Sequence, residues 1–176
     1  MKLSRLLAAP VIAAAMLLAQ LVSPGPAQAA IGPKCLHDDG RSYNACLTIS
    51  GTGELNQWRV TAGLDAIMSQ RYAQEIIDDG ANLRATLWGD DGGSRKLIGS
   101  LPVAPGWPVA GPSGLSVELS GLVYGGDLNE DNGLDEIYAE ITYFDFHRGR
   151  NIPHRTGTVV GEFIPWVETP CDIVCP

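Results

Sequence analysis

Residues 58–66 have the sequence WRVTAGLDA, in which every second side chain is apolar. The apolar members of this run are Trp58, Val60, Ala62, Leu64 and Ala66. Successive side chains of a β-strand point to opposite faces, so this alternation is typical of a strand that buries one face and exposes the other. The stretch therefore predicts a half-buried strand.

Similar short segments surround this one. Strands are predicted at residues 46–50, 83–88, 96–101, 115–122, 137–143 and 158–164. The turn sequence GDDGG at residues 89–93 predicts a hairpin between two of them, because Asp and Gly favour tight turns. The exception is residues 69–78, where an N-capping Ser69 precedes apolar residues at helical spacing. One short helix is predicted there.

These elements define the expected fold class. Seven to eight short strands with one short helix predict an all-β protein, an antiparallel β-sandwich, with a closed β-barrel as the alternative. The sequence contains no internal repeat and no interdomain linker. Residues 30–176 are therefore expected to form a single domain.

The first 29 residues have the features of a secretory signal peptide. Lys2 and Arg5 precede an apolar stretch at residues 6–22, and Ala27-Gln28-Ala29 supplies the small residues of a cleavage site. A Ser-Pro-Gly-Pro segment, rather than basic stop-transfer residues, follows the apolar stretch. The sequence thus predicts a secreted protein without a stable membrane anchor after signal removal.

Charge and cysteine content are consistent with that location. The 176 residues include 20 acidic and 12 basic side chains, a formal charge of −8, which disfavours binding to nucleic acid. An even number of cysteines in an oxidising compartment predicts two disulfides among Cys35, Cys46, Cys171 and Cys175. Three pairings are possible. We favour Cys35–Cys46 with Cys171–Cys175, although pairing between the two ends of the domain would constrain the unfolded chain more strongly.

Residues 127–136, DLNEDNGLDE, are the strongest candidate for a metal site. Asp127, Asn129 and Asp131 alternate, so their oxygens are able to converge on Ca²⁺, and Asp135 is able to complete the shell. The segment departs from the EF-hand loop, because its sixth position is Asn132 rather than Gly. The alternative is a solvated acidic turn between two strands.

Residues 147–155, HRGRNIPHR, form a basic segment in an acidic protein. We predict a loop that either contacts an anionic partner or pairs with the protein's own acidic loops. Its candidate partner contacts are Arg148, Arg150 and Arg155. A zinc site at His147 and His154 lacks an identifiable third ligand.

Residues 102–114 begin with PVAPGWPVAGP and predict a stiff apolar loop. Such a loop either presents Trp107 to a partner, at small entropic cost, or folds over the end of the sandwich and buries it. The high average burial of tryptophan favours the buried alternative.

Signals of catalysis are weak. The sequence lacks a nucleophile elbow, a zinc-protease helix and a phosphate-binding loop, and the four cysteines are assigned to disulfides. We therefore predict a non-enzymatic binding module, stabilised by calcium, for an extracellular protein or polysaccharide. One alternative is an inhibitor of a secreted hydrolase that presents residues 102–114. Another is a small hydrolase that uses carboxylates such as Glu118 and Glu140.

Overall fold

The computed structural model describes residues 31–37, 42–90, 92–129 and 133–163. The elements within these ranges are β1 (Ile31–His37), β2 (Tyr43–Gly51), β3 (Gln57–Ile67), α1 (Gln70–Asp78), β4 (Arg84–Asp90), β5 (Arg95–Leu101), β6 (Val109–Gly111), β7 (Gly114–Tyr124), α2 (Gly125–Leu128), β8 (Asp135–Asp145), β9 (Arg150–Arg155) and β10 (Val159–Gly161). The predicted signal peptide lies outside the described residues.

Two antiparallel sheets form a β-sandwich. The first sheet has the strand order β1-β2-β3-β7-β6. In the second, β5, β4 and β8 are neighbours, and both β9 and β10 pair with β8. The sheets do not close into a barrel, so the sandwich prediction is confirmed and the barrel alternative is wrong.

The core lies between the sheets and consists of the side chains that the alternation pattern selects. On β3, the inward residues are Trp58, Val60, Ala62, Leu64 and Ala66, all buried. On β8, they are Ile137, Ala139, Ile141 and Tyr143, also buried. Full burial of one large apolar side chain contributes about 1.5–3 kcal/mol, so these rows provide much of the driving force for folding.

Helix α1 begins where the sequence predicts it. The Ser69 hydroxyl accepts a hydrogen bond from the Tyr72 backbone N–H at 3.3 Å, an N-cap that satisfies one free donor. Ala73 and Ile76 are buried, and the helix packs against β6 and β7. No helix in the described ranges is long and apolar enough to cross a membrane.

One predicted disulfide is present. Cys35 and Cys46 are bonded and occupy directly opposite positions on β1 and β2. This confirms the local pairing at the beginning of the domain. Cys171 and Cys175 lie outside the described residues.

Two segments predicted as loops contain strands. Residues 150–155 of the basic segment form β9, and residues 109–111 of the Pro-rich segment form β6. Both strands lie at sheet edges, where proline is tolerated because one side of the strand needs no partner. Pro153 lies within β9, and Pro108 and Pro112 flank β6. These prolines therefore concealed both strands in the sequence without preventing them.

Candidate functional site

Residues 102–112 form a segment, here called the Trp107 loop, that β7 holds at both ends. The Ser120 N–H donates to the Pro102 carbonyl at 3.0 Å, and the Ala104 N–H donates to the Glu118 carbonyl at 2.9 Å. At the other end, Val109 pairs with Ser116 as part of β6. Its conformation is thus fixed by backbone bonds.

The tip of the loop projects from the sandwich. The Trp107 N–H donates to the Ala104 carbonyl at 3.2 Å, which closes a tight turn, and the Trp107–Pro108 peptide bond is cis. Trp107 is 36% exposed, so the expectation that it joins the core is wrong. Ala104 is the buried residue of this segment instead, at 7% exposure.

Exposed apolar side chains lie on the sheet that carries the loop. Val109 is 45% exposed, and Ile67, near the end of the same sheet, is 63% exposed. The strand register places Val109, Ser116 and Asp65 in one row across β6, β7 and β3. The Ser116 hydroxyl donates to Asp65 Oδ1 at 2.7 Å. Trp107, Val109, Ile67 and Asp65 are together called the β6 surface.

The basic segment pairs with the protein's own acidic residues at two of its arginines. Arg155 Nη2 lies 3.1 Å from Asp90 Oδ2, and Arg148 Nε lies 3.4 Å from Asp145 Oδ2. These contacts correspond to one of the two alternatives left open by the sequence. Arg150 is exposed and forms no ion pair within the described ranges. Of the three arginines in this segment, it is therefore the one whose guanidinium is available to a partner.

Arg148 belongs to a cluster that joins α1 to the turn after β8. The Tyr72 hydroxyl lies 2.8 Å from both carboxylate oxygens of Asp145, which is buried. Burial would raise the pKa of Asp145, but the hydrogen bonds from Tyr72 and from the Arg148 N–H outweigh it and lower that pKa. Burial, followed by the bond to Asp145, raises the pKa of Tyr72. At neutral pH the pair is therefore an ionised acceptor and a protonated donor, which suits a structural tie rather than acid–base catalysis.

A second cluster covers the outer face of the other sheet. Trp88 and Tyr138 are cross-strand partners on β4 and β8, and Tyr138 is 1% exposed. The guanidinium carbon of Arg155 lies 3.7 Å from the Tyr138 ring centroid, and that of Arg95 lies 4.6 Å from the Trp88 centroid. Arg95 is also 3.7 Å from Glu140. These cation–π contacts seal the aromatic pair beneath two arginines, so Tyr138 offers no open face for stacking.

The predicted calcium ligands are only partly described. Asp127 is exposed on the helical turn α2, and Asn129 is the residue that follows this turn. Asp135 is buried at the beginning of β8, and Leu128 is fully buried. Asp131 lies outside the described residues, within which no group of three or more His, Cys, Asp or Glu side chains is placed to hold a metal. Calcium binding thus remains a prediction that depends on Asp131.

The other predicted pairs are not assembled into a site. Glu118 on β7 and Glu140 on β8 each alternate with buried residues, so they point outward from opposite sheets. Hydrolysis by these two carboxylates would require them to face each other across one substrate. His147 is exposed with Nε2 3.2 Å from Glu75 Oε2, whereas His154 is buried between aromatic rings.

Comparison with known proteins assigns no family. No family model matches the chain, and searches of curated proteins and of solved structures find no similar protein. The function must therefore be inferred from the geometry of this chain.

Proposed function

We propose that the protein is an exported, non-enzymatic binding module that contacts an extracellular protein through the β6 surface. The observation that carries this proposal is the exposed Trp107 on a loop that β7 holds at both ends. A large aromatic side chain is a common anchor of protein interfaces. Because the loop is already ordered by backbone bonds, little conformational entropy is lost when it binds.

Export is supported by two features. Residues 1–29 have the pattern of a signal peptide, and the Cys35–Cys46 disulfide is typical of an oxidising compartment. Calcium held by Asp127, Asn129, Asp131 and Asp135 enters the proposal as a stabilising ion, since extracellular calcium is abundant enough for a site of modest affinity.

A protein partner is favoured over a polysaccharide. Sugar binding usually combines an open aromatic face with nearby hydrogen-bonding groups, and the Trp88–Tyr138 pair is covered by arginines. The β6 surface combines the exposed apolar side chains of Trp107, Val109 and Ile67 with the carboxylate of Asp65. Such a composition suits the apolar centre of a protein interface.

An inhibitor of a secreted hydrolase is the second candidate. The stiffness of the Trp107 loop favours it, because Pro105, Pro108 and Pro112 restrict the backbone around the exposed tip. A pre-organised loop of this kind enters an enzyme cleft at small entropic cost. This candidate predicts a stoichiometric complex with loss of the hydrolase's activity.

The proposal is tested by site-specific photo-crosslinking of the exported protein. A photoreactive amino acid replaces Val109, which is 45% exposed on the β6 surface, in one variant and Leu97, which is 59% exposed on β5 of the other sheet, in the control. Each variant is incubated with the secreted proteins of the source culture and, separately, with purified polysaccharides. We expect a discrete protein adduct from position 109 only, suppressed by excess unlabelled protein but not by excess Trp107→Ala protein. Equal adducts from both positions, no adduct, or an adduct with polysaccharide alone would contradict the proposal.

A further inference from the structure

His154 is a buried titratable side chain that the proposed function does not use. It lies on β9, pairs with Ile141 of β8 and is only 8% exposed. Among the described residues, neither ring nitrogen has a hydrogen-bond partner. A buried polar group without a partner is costly, and it becomes far more costly once it carries a charge.

Aromatic rings from both sheets enclose the imidazole. Tyr143 of β8 stacks on it with ring centroids 5.6 Å apart, and Tyr43 of β2 contacts it edge-on at 4.4 Å. His154 therefore contributes to the contact between the sheets at this edge. Its uncharged form packs there as an aromatic ring would.

Within the part of the chain that the structure describes, His154 forms no ion pair or hydrogen bond with a carboxylate. Tyr43 and Tyr143 are the titratable groups that contact it from β2 and β8. Asp145, farther along β8, already accepts hydrogen bonds from Tyr72 and Arg148. On β9 itself, Arg155 points to the other face, toward Asp90. Burial lowers the pKa of His154 from 6.5 to about 4.

β9 is hydrogen-bonded along one side only. It is an edge strand, it pairs with β8 alone, and Pro153 has no N–H to donate. The ends of the segment are anchored more firmly, by the Tyr72–Asp145–Arg148 cluster before it and by the buried Thr156 after it. Edge segments between firm anchors open at lower free energy than the core, so the middle of β9 opens before the sandwich unfolds.

We propose that His154 makes β9 an acid-released edge strand. Below a pH of about 6.5 the open state gains a proton that the closed state excludes, so acidification shifts the population toward the open state. Opening hydrates His154 and exposes the free edge of β8 at residues 140–145. An exposed edge with unpaired N–H and C=O groups is able to accept a strand from another chain. This device is independent of the Trp107 loop, which lies on the first sheet.

Hydrogen exchange of the exported protein provides the test. After correction for intrinsic exchange rates, opening of residues 150–155 is expected to increase about 20-fold between pH 7 and pH 5, from the free and folded pKa values of His154. Core amides of β3 should show no comparable increase. His154→Phe keeps a ring between the two tyrosines and should abolish the acid effect. The matched control His147→Gln, at an exposed histidine of the preceding turn, should retain it.

Two results would overturn the proposal. One is an acid effect that persists in His154→Phe, and the other is loss of protection in β9 and β3 together, which would indicate global unfolding. If His154→Phe does not fold, an NMR titration of the three histidines in the wild-type protein decides instead. Protonation of His154 with a midpoint between pH 6 and 7 and unchanged β9 contacts would overturn the proposal. Protonation near pH 4, or only together with loss of those contacts, would support it.

Discussion

Asp145 shows how a single buried carboxylate organises part of this molecule. The carboxylate is 1% exposed, yet it receives hydrogen bonds from the Tyr72 hydroxyl and the Arg148 N–H and forms an ion pair with Arg148. Such bonds offset the cost of removing a charge from water. They also attach α1 to the second sheet at a point 73 residues away in the sequence.

The Tyr72→Phe variant should therefore be less stable by roughly 1–3 kcal/mol at neutral pH, because it leaves an ionised carboxylate short of a donor. The lowered pKa of Asp145 in the folded state means that its stabilising contribution is present above the ordinary value of 3.8 and is lost as the pH falls through the folded pKa. The difference between the two proteins should thus narrow in acid. Urea unfolding from pH 3 to pH 7 measures it, with Tyr124→Phe, at a residue 60% exposed, as the control. An equal loss in both variants would contradict the role assigned to Tyr72.

At the scale of elements, β9 and β10 form one interrupted edge strand. Between the pairs Glu140–Arg155 and Ile137–Val159, β8 advances by three residues and its partner by four, so one extra residue is accommodated. Thr156 bridges the interruption. Its N–H donates to the Ala139 carbonyl, and its hydroxyl accepts from the Ala139 N–H, both at 2.9 Å.

The Thr156→Val variant should lose roughly 1–3 kcal/mol of unfolding free energy, because the buried N–H of Ala139 is left without an acceptor. Thr156→Ser keeps the hydroxyl and should lose distinctly less. Denaturant unfolding measures the stabilities, and hydrogen exchange at Ala139 reports the bond directly. Equal stability of the Val and Ser variants, with equal exchange protection of the Ala139 amide, would show that the Thr156 hydroxyl is not needed as the acceptor of the Ala139 N–H.

The same elements show what a sequence pattern is able to predict. β3 and β8 are half-buried for most of their length, so every inward position of β3, and every one of β8 between Asp135 and Asp145, is apolar and the alternation is visible. β9 carries three exposed polar residues and a proline, because only one of its edges and part of one face are buried. Its strand conformation is dictated by β8 rather than by its own residues, so no local pattern indicates it.

At the scale of the whole molecule, the sandwich was predictable and the pairing of its charges was not. Alternation and turns identify the half-buried strands, although not the edge strands β6 and β9, and the need to bury the apolar faces requires two layers. By contrast, Arg155 meets Asp90 only because β4 and β8 become neighbours, across 65 residues of sequence. Such ion pairs determine which arginines remain available to a partner. They depend on which strands become neighbours in the fold rather than on the spacing of residues in the sequence.

The acidic loop between α2 and β8 connects local sequence to the stability of the whole fold. Leu128 is fully buried at one end and Asp135 is buried at the other, so residues 127–136 hold five carboxylates within an anchored segment. If Ca²⁺ relieves this repulsion with a dissociation constant of about 0.1–1 mM, typical of extracellular sites, 10 mM Ca²⁺ stabilises the protein by about 1.4–2.7 kcal/mol. Thermal unfolding of residues 30–176 in EDTA, and then in Ca²⁺ or Mg²⁺, should show a rise in melting temperature with Ca²⁺ alone. Asp131→Ala should abolish the rise, whereas Asp79→Ala, at an exposed residue after α1, should keep it. A rise that is equal in Mg²⁺, or one that survives in Asp131→Ala, would contradict calcium binding through Asp131. Only an ion that binds the folded state through that residue produces a rise that is specific to Ca²⁺ and absent from the variant.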